Sequence, residues 1–200
     1  MREKSDMKME SDIKSDMMGN EIPEVARNNP AYMNIIGRTS VRRYTDEPVA
    51  DDLKRALLHA AMSAPSGVNR QPWEFILVDD RNLLESLAEA LPYAKMTATA
   101  PMAIIPCGDS ERFLEGVDSE LWVQDLSAAS ENILLAAHAL GLGGVWTCLY
   151  PHSDRMDAVR KILDVPDKLI PFNLIPIGHP YKATEPMDKW HPDRIYHDKM

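Results

Sequence analysis

Residues 118–140 contain the longest run of periodic apolar positions in the chain, and this run limits the folds that the chain can adopt. Its apolar residues recur at spacings of three or four, at Trp122, Leu126, Ala129, Ile133, Ala137 and Leu140. This spacing places side chains on one face of an α-helix. Gly141 is a typical residue just beyond a helix end. The pattern therefore predicts a long buried helix at the centre of the protein.

Shorter segments on either side alternate between helical and strand-like patterns. Helices are predicted from Asn29-Pro30 to Ile36, from Asp51 or Asp52 to just before Ala64, after Asp79-Asp80 to Leu91, and from Ser153 to about Leu163. Strands are predicted at Trp73–Val78, at Met102–Pro106, in the segment GGVWTCLY, and within Leu169–Ile177. Helices and strands interleaved in this way predict one α/β domain built around a single sheet.

The N-terminal 30 residues have a different composition from the rest. They carry five basic and seven acidic residues and almost no branched aliphatic residues. Such a segment cannot bury enough apolar surface to fold alone, which predicts a flexible tail at 1–30 and a folded domain at 31–200. An alternative is an arm that wraps a partner subunit, because its methionines could pack on an apolar groove.

Charge and cysteine content exclude several classes of protein. The 22 basic and 31 acidic residues give a net charge of −9, which disfavours a nucleic-acid partner. The two cysteines, Cys107 and Cys148, lack the spacing of a zinc site or a disulfide framework. No segment has the length of a membrane span or the pattern of a signal peptide. We therefore expect a cytoplasmic protein with no membrane partner and no metal.

The segment Arg38-x-Ser40-x-Arg42-x-Tyr44 is a candidate phosphate site. If it is extended, alternation places these four residues on one face and Thr39, Val41 and Arg43 on the other. Two guanidinium groups beside a hydroxyl suit a phosphate dianion, because each planar fork donates two hydrogen bonds to its oxygens. The alternative is a solvated basic stretch of surface.

The segment Ala64-Pro65-Ser66-Gly67-Val68-Asn69-Arg70-Gln71-Pro72-Trp73 is predicted to be a loop between a helix and a strand. Its two amide side chains, Asn69 and Gln71, each offer a donor and an acceptor, which suits the edge of a heterocycle. The alternative is that they satisfy backbone groups at the helix end.

These two segments are followed by two more, Gly141-Leu142-Gly143-Gly144-Val145-Trp146 and Ile177-Gly178-His179-Pro180. In their residues and in their order along the chain, the four segments resemble the FMN-dependent nitroreductase family. The resemblance spans about residues 31–197. It implies an α+β fold in a single domain, with a mixed sheet flanked by helices, and an intertwined homodimer with FMN bound at the interface. It also implies ping-pong reduction of nitroaromatics, quinones or related small-molecule acceptors, with NADH or NADPH as the reductant.

The resemblance also implies which residues bind the cofactor. Those expected at the FMN phosphate and ribityl chain are Arg38, Thr39, Ser40 and Arg42, with Lys189 as a second phosphate ligand. Those expected at the ring or the ribityl hydroxyls are Pro65, Ser66, Asn69 and Gln71, with Trp146, Thr147 and Cys148 along the isoalloxazine. No side chain is expected to be catalytic, because the flavin carries the electron transfer.

Alternatives remain open for Cys148 and for the activity. Cys148 stands where many relatives have a small residue, and its thiol either tunes the flavin or fills buried space. The activity alternatives are a non-catalytic FMN-binding protein and a specialised branch performing reductive dehalogenation, flavin cleavage or azoline oxidation. A further alternative is an interaction protein that has lost its cofactor.

Overall fold

The structure, a computed structural model, describes residues 21–200. Residues 1–20, which make up most of the predicted flexible tail, lie outside the described residues. The described chain divides into two compact units. One contains residues 21–36 and Pro186–Met200, and the other is Gly37–Glu185. The helix Glu24–Arg27 falls within the segment predicted as a tail, and the domain boundary at residue 30 remains a prediction.

The α-helices are α1 (Glu24–Arg27), α2 (Pro30–Gly37), α3 (Asp51–Met62), α4 (Arg81–Ala90), α5 (Leu121–Ala139) and α6 (Ser153–Leu163). The strands are β1 (Trp73–Val78), β2 (Met102–Asp109), β3 (Gly143–Gly144), β4 (Thr147–Cys148), β5 (Leu169–Pro171) and β6 (Asn173–Gly178). The helices from α2 onward and β1 lie within two or three residues of the predicted bounds. The predicted strand at Met102–Pro106 continues to Asp109, and each of the last two predicted strands divides in two. Within the described part of the chain, no helix is long and apolar enough to span a membrane.

The strands form one sheet in the order β1-β2-β6-β3, with β5 beside β2 and β4 beside β6. Every strand pair within residues 21–200 is antiparallel, so the prediction of a mixed sheet is wrong for these strand pairs. Among the described residues, parallel pairing occurs at one isolated bridge, between Ser40 and Gly144. The connections between paired strands, such as the segment with α4 between β1 and β2, are long enough for either direction of pairing, so their length does not predict it.

Helices cover both faces of the sheet. On one face, Ala103 and Ile105 of β2 pack in a buried cluster with residues of α4 and α6. On the other, Met102 and Ile104 pack with residues of α3 and α5. Successive side chains of a strand point to opposite faces. Because both faces are covered, β2 is apolar from Met102 to Cys107 instead of alternating.

The central helix α5 buries the predicted face from Trp122 to Ala137. Its end is set by Gly141, whose φ of 76° suits glycine. There the Leu142 N–H donates to the Ala137 carbonyl at 2.8 Å and the Gly141 N–H to the His138 carbonyl at 3.2 Å. This pair of bonds is a Schellman motif. It turns the chain directly from α5 into β3.

Candidate functional site

The segment Arg38–Tyr44 is held against β3 and β6. The Val41 N–H donates to the Gly144 carbonyl at 3.0 Å. The Tyr44 hydroxyl donates toward the carbonyl oxygens of Val41, at 2.6 Å, and Pro176, at 3.0 Å. Burial raises the pKa of Tyr44, which keeps the hydroxyl protonated as a donor. These contacts fix the backbone between the two arginines.

The strict alternation predicted for this segment is wrong at Tyr44. Val41 and Tyr44 are both buried, in one apolar cluster, although alternation places them on opposite faces. Ser40 and Arg42 are exposed. The reason is that the segment pairs only at the isolated bridges of Ser40 and Tyr44, so no continuous ladder imposes a two-residue period.

The contact between Val41 and Gly143 gives a testable prediction. A Cβ added to Gly143 would lie 2.6 Å from Val41 Cβ, closer than real side chains approach. We expect Gly143→Ala to lower the free energy of unfolding by about 1–3 kcal/mol, because overpacking displaces the segment that carries Ser40 and Arg42. Urea denaturation measures the change. Gly144→Ala is the control, since its Cβ would meet Leu134 at 3.2 Å and should cost less. Equal stability of the two variants would contradict this explanation.

The loop Pro65–Gln71, called the amide loop below, has an unusual backbone. Val68, Asn69 and Gln71 have positive φ angles of 50°, 56° and 49°. The Gln71 N–H donates to Ser66 Oγ, and Gln71 Nε2 donates to Asn69 Oδ1, each at 3.0 Å. The two amides therefore bond to each other while both residues remain exposed.

A cavity of about 670 Å³ brings together part of the predicted site. Its lining residues are Arg42, Pro92, Tyr93, Lys95, Met96, Val145, Trp146, Thr147, Cys148 and Arg155. Arg42, Trp146, Thr147 and Cys148 were predicted to bind the cofactor. Neither Ser40 nor any residue of the amide loop lines this cavity.

The other predicted phosphate ligands have different surroundings. Arg38 Nε lies 3.3 Å from Glu131 Oε1, in an ion pair with α5. The Thr39 hydroxyl is hydrogen-bonded to the hydroxyl of Thr184. Lys189 is exposed in the unit that contains the C-terminal residues. Their roles at FMN remain predictions.

The two cysteines have opposite environments. Cys148 is exposed and lines the cavity, so the interpretation of its thiol as a buried filler is wrong. It lies at the end of β4, opposite Asn173 of β6, where the strand reaches the cavity. Cys107 is fully buried in β2, and burial raises the pKa of its thiol to about 12. Within residues 21–200, no cluster of histidine, cysteine or acidic residues could hold a metal ion.

Sequence reasoning missed two cationic residues of the cavity, Lys95 and Arg155. Arg155 lies in the first turn of α6 and donates from Nη1 to the Cys148 carbonyl at 3.0 Å. Its Nε is buried and has no hydrogen-bond partner among the described residues. Neither residue lies in a motif, so only the fold brings them beside Arg42. Three cations thus line one cavity of an acidic chain.

Comparisons with known proteins point to one family. The profile described as the nitroreductase family matches residues 35–92 and 89–179. A protein of Methanothermobacter thermautotrophicus, provisionally named an NADH dehydrogenase/NAD(P)H nitroreductase, is 47% identical over 162 residues. That match covers 81% of this chain and 83% of the relative.

Solved structures share the fold. A crystal structure from Bacteroides thetaiotaomicron with the same provisional name is 46% identical, has a TM-score of 0.82, and covers 86% of this chain and 99% of its own. A nitroreductase, also provisionally named, from Desulfovibrio desulfuricans was crystallised in complex with FMN. It is 31% identical with a TM-score of 0.73, and the match covers 86% of this chain and 99% of the other.

Proposed function

This chain belongs to the nitroreductase family, and on that premise we propose that it is an FMN-dependent oxidoreductase. It reduces nitroaromatic, quinone or related small-molecule acceptors and takes electrons from NADH or NADPH. The observation that carries the proposal is the convergence of Arg42 with Trp146, Thr147 and Cys148 on one cavity. Arg42 and Trp146 come from two separate blocks of the sequence that resemble the family, and Thr147 and Cys148 directly follow Trp146.

The cavity has the chemistry that FMN requires. FMN combines a phosphate dianion with a large flat ring. Arg42, Lys95 and Arg155 supply positive charge, and Arg155 Nε is a buried donor with no partner within residues 21–200. Met96, Val145 and Trp146 supply apolar wall. A cavity with a few placed polar groups in an apolar lining is typical of cofactor sites.

When bound, FMN supplies the hydride and electron transfer, and the protein binds and orients the reactants. Arg42 is the proposed phosphate ligand, with Ser40 and Arg38 beside it in the chain. Trp146 and Val145 exclude water from one side of the cavity. Arg155 holds the Cys148 carbonyl and so fixes the backbone of β4 at the cavity wall.

We include a homodimer in the proposal, because one chain leaves the amide loop outside this cavity. In an intertwined dimer, Pro65, Ser66, Asn69 and Gln71 would meet FMN across the interface. We also propose that the protein is cytoplasmic and that Lys189 is the second phosphate ligand.

Absorbance spectroscopy tests the proposed function. The purified protein, loaded with FMN if necessary, should show flavin bands between about 300 and 550 nm that bleach anaerobically when NADH or NADPH is added. Bands that persist with both nucleotides would contradict the enzyme and favour a flavin-binding protein. A protein that takes up no FMN would overturn the cofactor as well.

A further inference from the structure

We propose that Asp125 is a positioning residue that holds the amide loop in the conformation that binds FMN. The inference rests on the proposed function, because Asn69 and Gln71 are assigned to FMN there. Asp125 lies on α5, far from this loop in the sequence, and lines no part of the cavity described above. It therefore acts through the loop and not on the reacting atoms.

The connection between Asp125 and the loop is a single, partly buried hydrogen bond. Asp125 Oδ1 accepts from the Gly67 N–H at 2.9 Å, and the Asp125 side chain is buried, with 8% of the residue exposed. A buried carboxylate needs a partner, since leaving it without one is costly. Hydrogen bonds to a charged acceptor are stronger than those between neutral groups. The bond therefore fixes Gly67 firmly to the central helix.

The residue that follows Gly67 needs such support. Val68 has φ 50° and ψ 26°, in the left-handed region that β-branched residues rarely adopt. Its side chain is 83% exposed, so little packing compensates for the strained backbone. Strained residues persist only where their surroundings determine the conformation, and they concentrate at functional sites.

The other hydrogen bonds of the loop are mostly internal. Ser66, Asn69 and Gln71 bond to one another. At the far end, Arg112 Nη1 donates to the Gln71 carbonyl at a longer 3.3 Å. The bond from Asp125 is therefore the stronger of these two hydrogen bonds between the loop and the rest of the protein. It holds Gly67, which directly precedes the strained Val68. Without it, we expect Val68 to relax and move Asn69 and Gln71 out of position.

FMN titration of Asp125→Ala, followed by flavin fluorescence, measures this effect on binding. We expect the dissociation constant to rise about tenfold, which corresponds to about 1.4 kcal/mol. Asp125→Asn keeps an acceptor oxygen and should lose much less. Amide hydrogen exchange of the FMN-free protein should show faster exchange at Gly67 in Asp125→Ala, a readout that does not depend on activity.

A second substitution separates positioning from a general loss of stability. Asparagine tolerates the left-handed region better than valine. Val68→Asn should therefore restore part of the FMN affinity of Asp125→Ala and should not weaken binding when made alone. Asp118→Ala removes an exposed acid from a neighbouring turn and is the matched control, with unchanged affinity expected.

Three outcomes would overturn the inference. They are unchanged FMN affinity in Asp125→Ala, unchanged exchange at Gly67, and no recovery with Val68→Asn. If Asp125→Ala does not fold, Asp125→Asn alone and combined with Val68→Asn gives the comparison, with a smaller expected rise in the dissociation constant. A wild-type protein that binds no FMN would overturn the proposed function instead, while the exchange at Gly67 would still report on Asp125.

Discussion

We expect Arg42→Ala to weaken FMN binding by about 1.5–3 kcal/mol, or roughly 10- to 150-fold in the dissociation constant. The substitution removes a guanidinium that lines the cavity and is the proposed phosphate ligand. A charge-assisted hydrogen bond to phosphate is stronger than a neutral one. Flavin fluorescence during titration of the FMN-free protein measures the loss. The free energy of unfolding should change little, because Arg42 is exposed.

The neighbouring arginine provides the control for this prediction. Arg43 is also exposed, but its guanidinium carbon lies 5.3 Å from the centre of the Tyr181 ring, and Arg43 does not line the cavity. Arg43→Ala should therefore leave FMN affinity close to that of the wild type. Equal losses in the two variants would indicate a general charge effect. Arg42→Lys should give an intermediate loss, since lysine keeps the charge without the planar fork.

Trp122→Ala should lower the free energy of unfolding by about 3–5 kcal/mol. Trp122 stacks on Phe113 with ring centres 4.8 Å apart and meets Tyr150 edge-on at 4.7 Å. It also covers the backbone of β2, where a Cβ added to Gly108 would lie 2.7 Å from its ring. The surrounding strands cannot close such a cavity fully. Urea denaturation of the FMN-free protein measures the loss.

Two further variants test whether the aromatic cluster causes this loss of stability. Trp122→Phe keeps an aromatic ring and should cost clearly less than alanine. Trp190→Ala removes a partly exposed tryptophan, 43% accessible, and should cost clearly less stability than Trp122→Ala. A Trp122→Ala protein as stable as Trp190→Ala would show that the aromatic cluster contributes little.

The sequence predicts the helices well because each has a local signal. The buried face of α5 follows from its spacing, and α6 begins and ends at the predicted residues. The division of the last predicted strand has no local signal. It occurs because β5 pairs with one end of β2 and β6 with the other, while the Phe172 N–H donates to the Pro106 carbonyl between them. Such pairing depends on residues distant in the chain.

In the candidate site too, residues within motifs were predicted from the sequence, whereas a residue outside the motifs was missed. The resemblance assigned Arg42 and Trp146 to the cofactor because both lie within motifs, and both line the cavity. It missed Arg155, which reaches the cavity only through the packing of α6 beside β4. The face of Tyr44 was predicted wrongly, because a two-residue alternation needs a continuous ladder and two isolated bridges do not provide one.

The order of strands in the sheet also determines how fast the chain can fold. The two central strands, β2 and β6, are separated in sequence by α5, β3, β4, α6 and β5. A long segment must therefore close before Met102 can meet Ile177, and closure of a long loop is entropically costly. Helix formation takes about a microsecond, whereas folds dominated by distant contacts take roughly milliseconds to seconds. We expect the pairing of β2 with β6 to limit the folding rate, with α5 forming earlier.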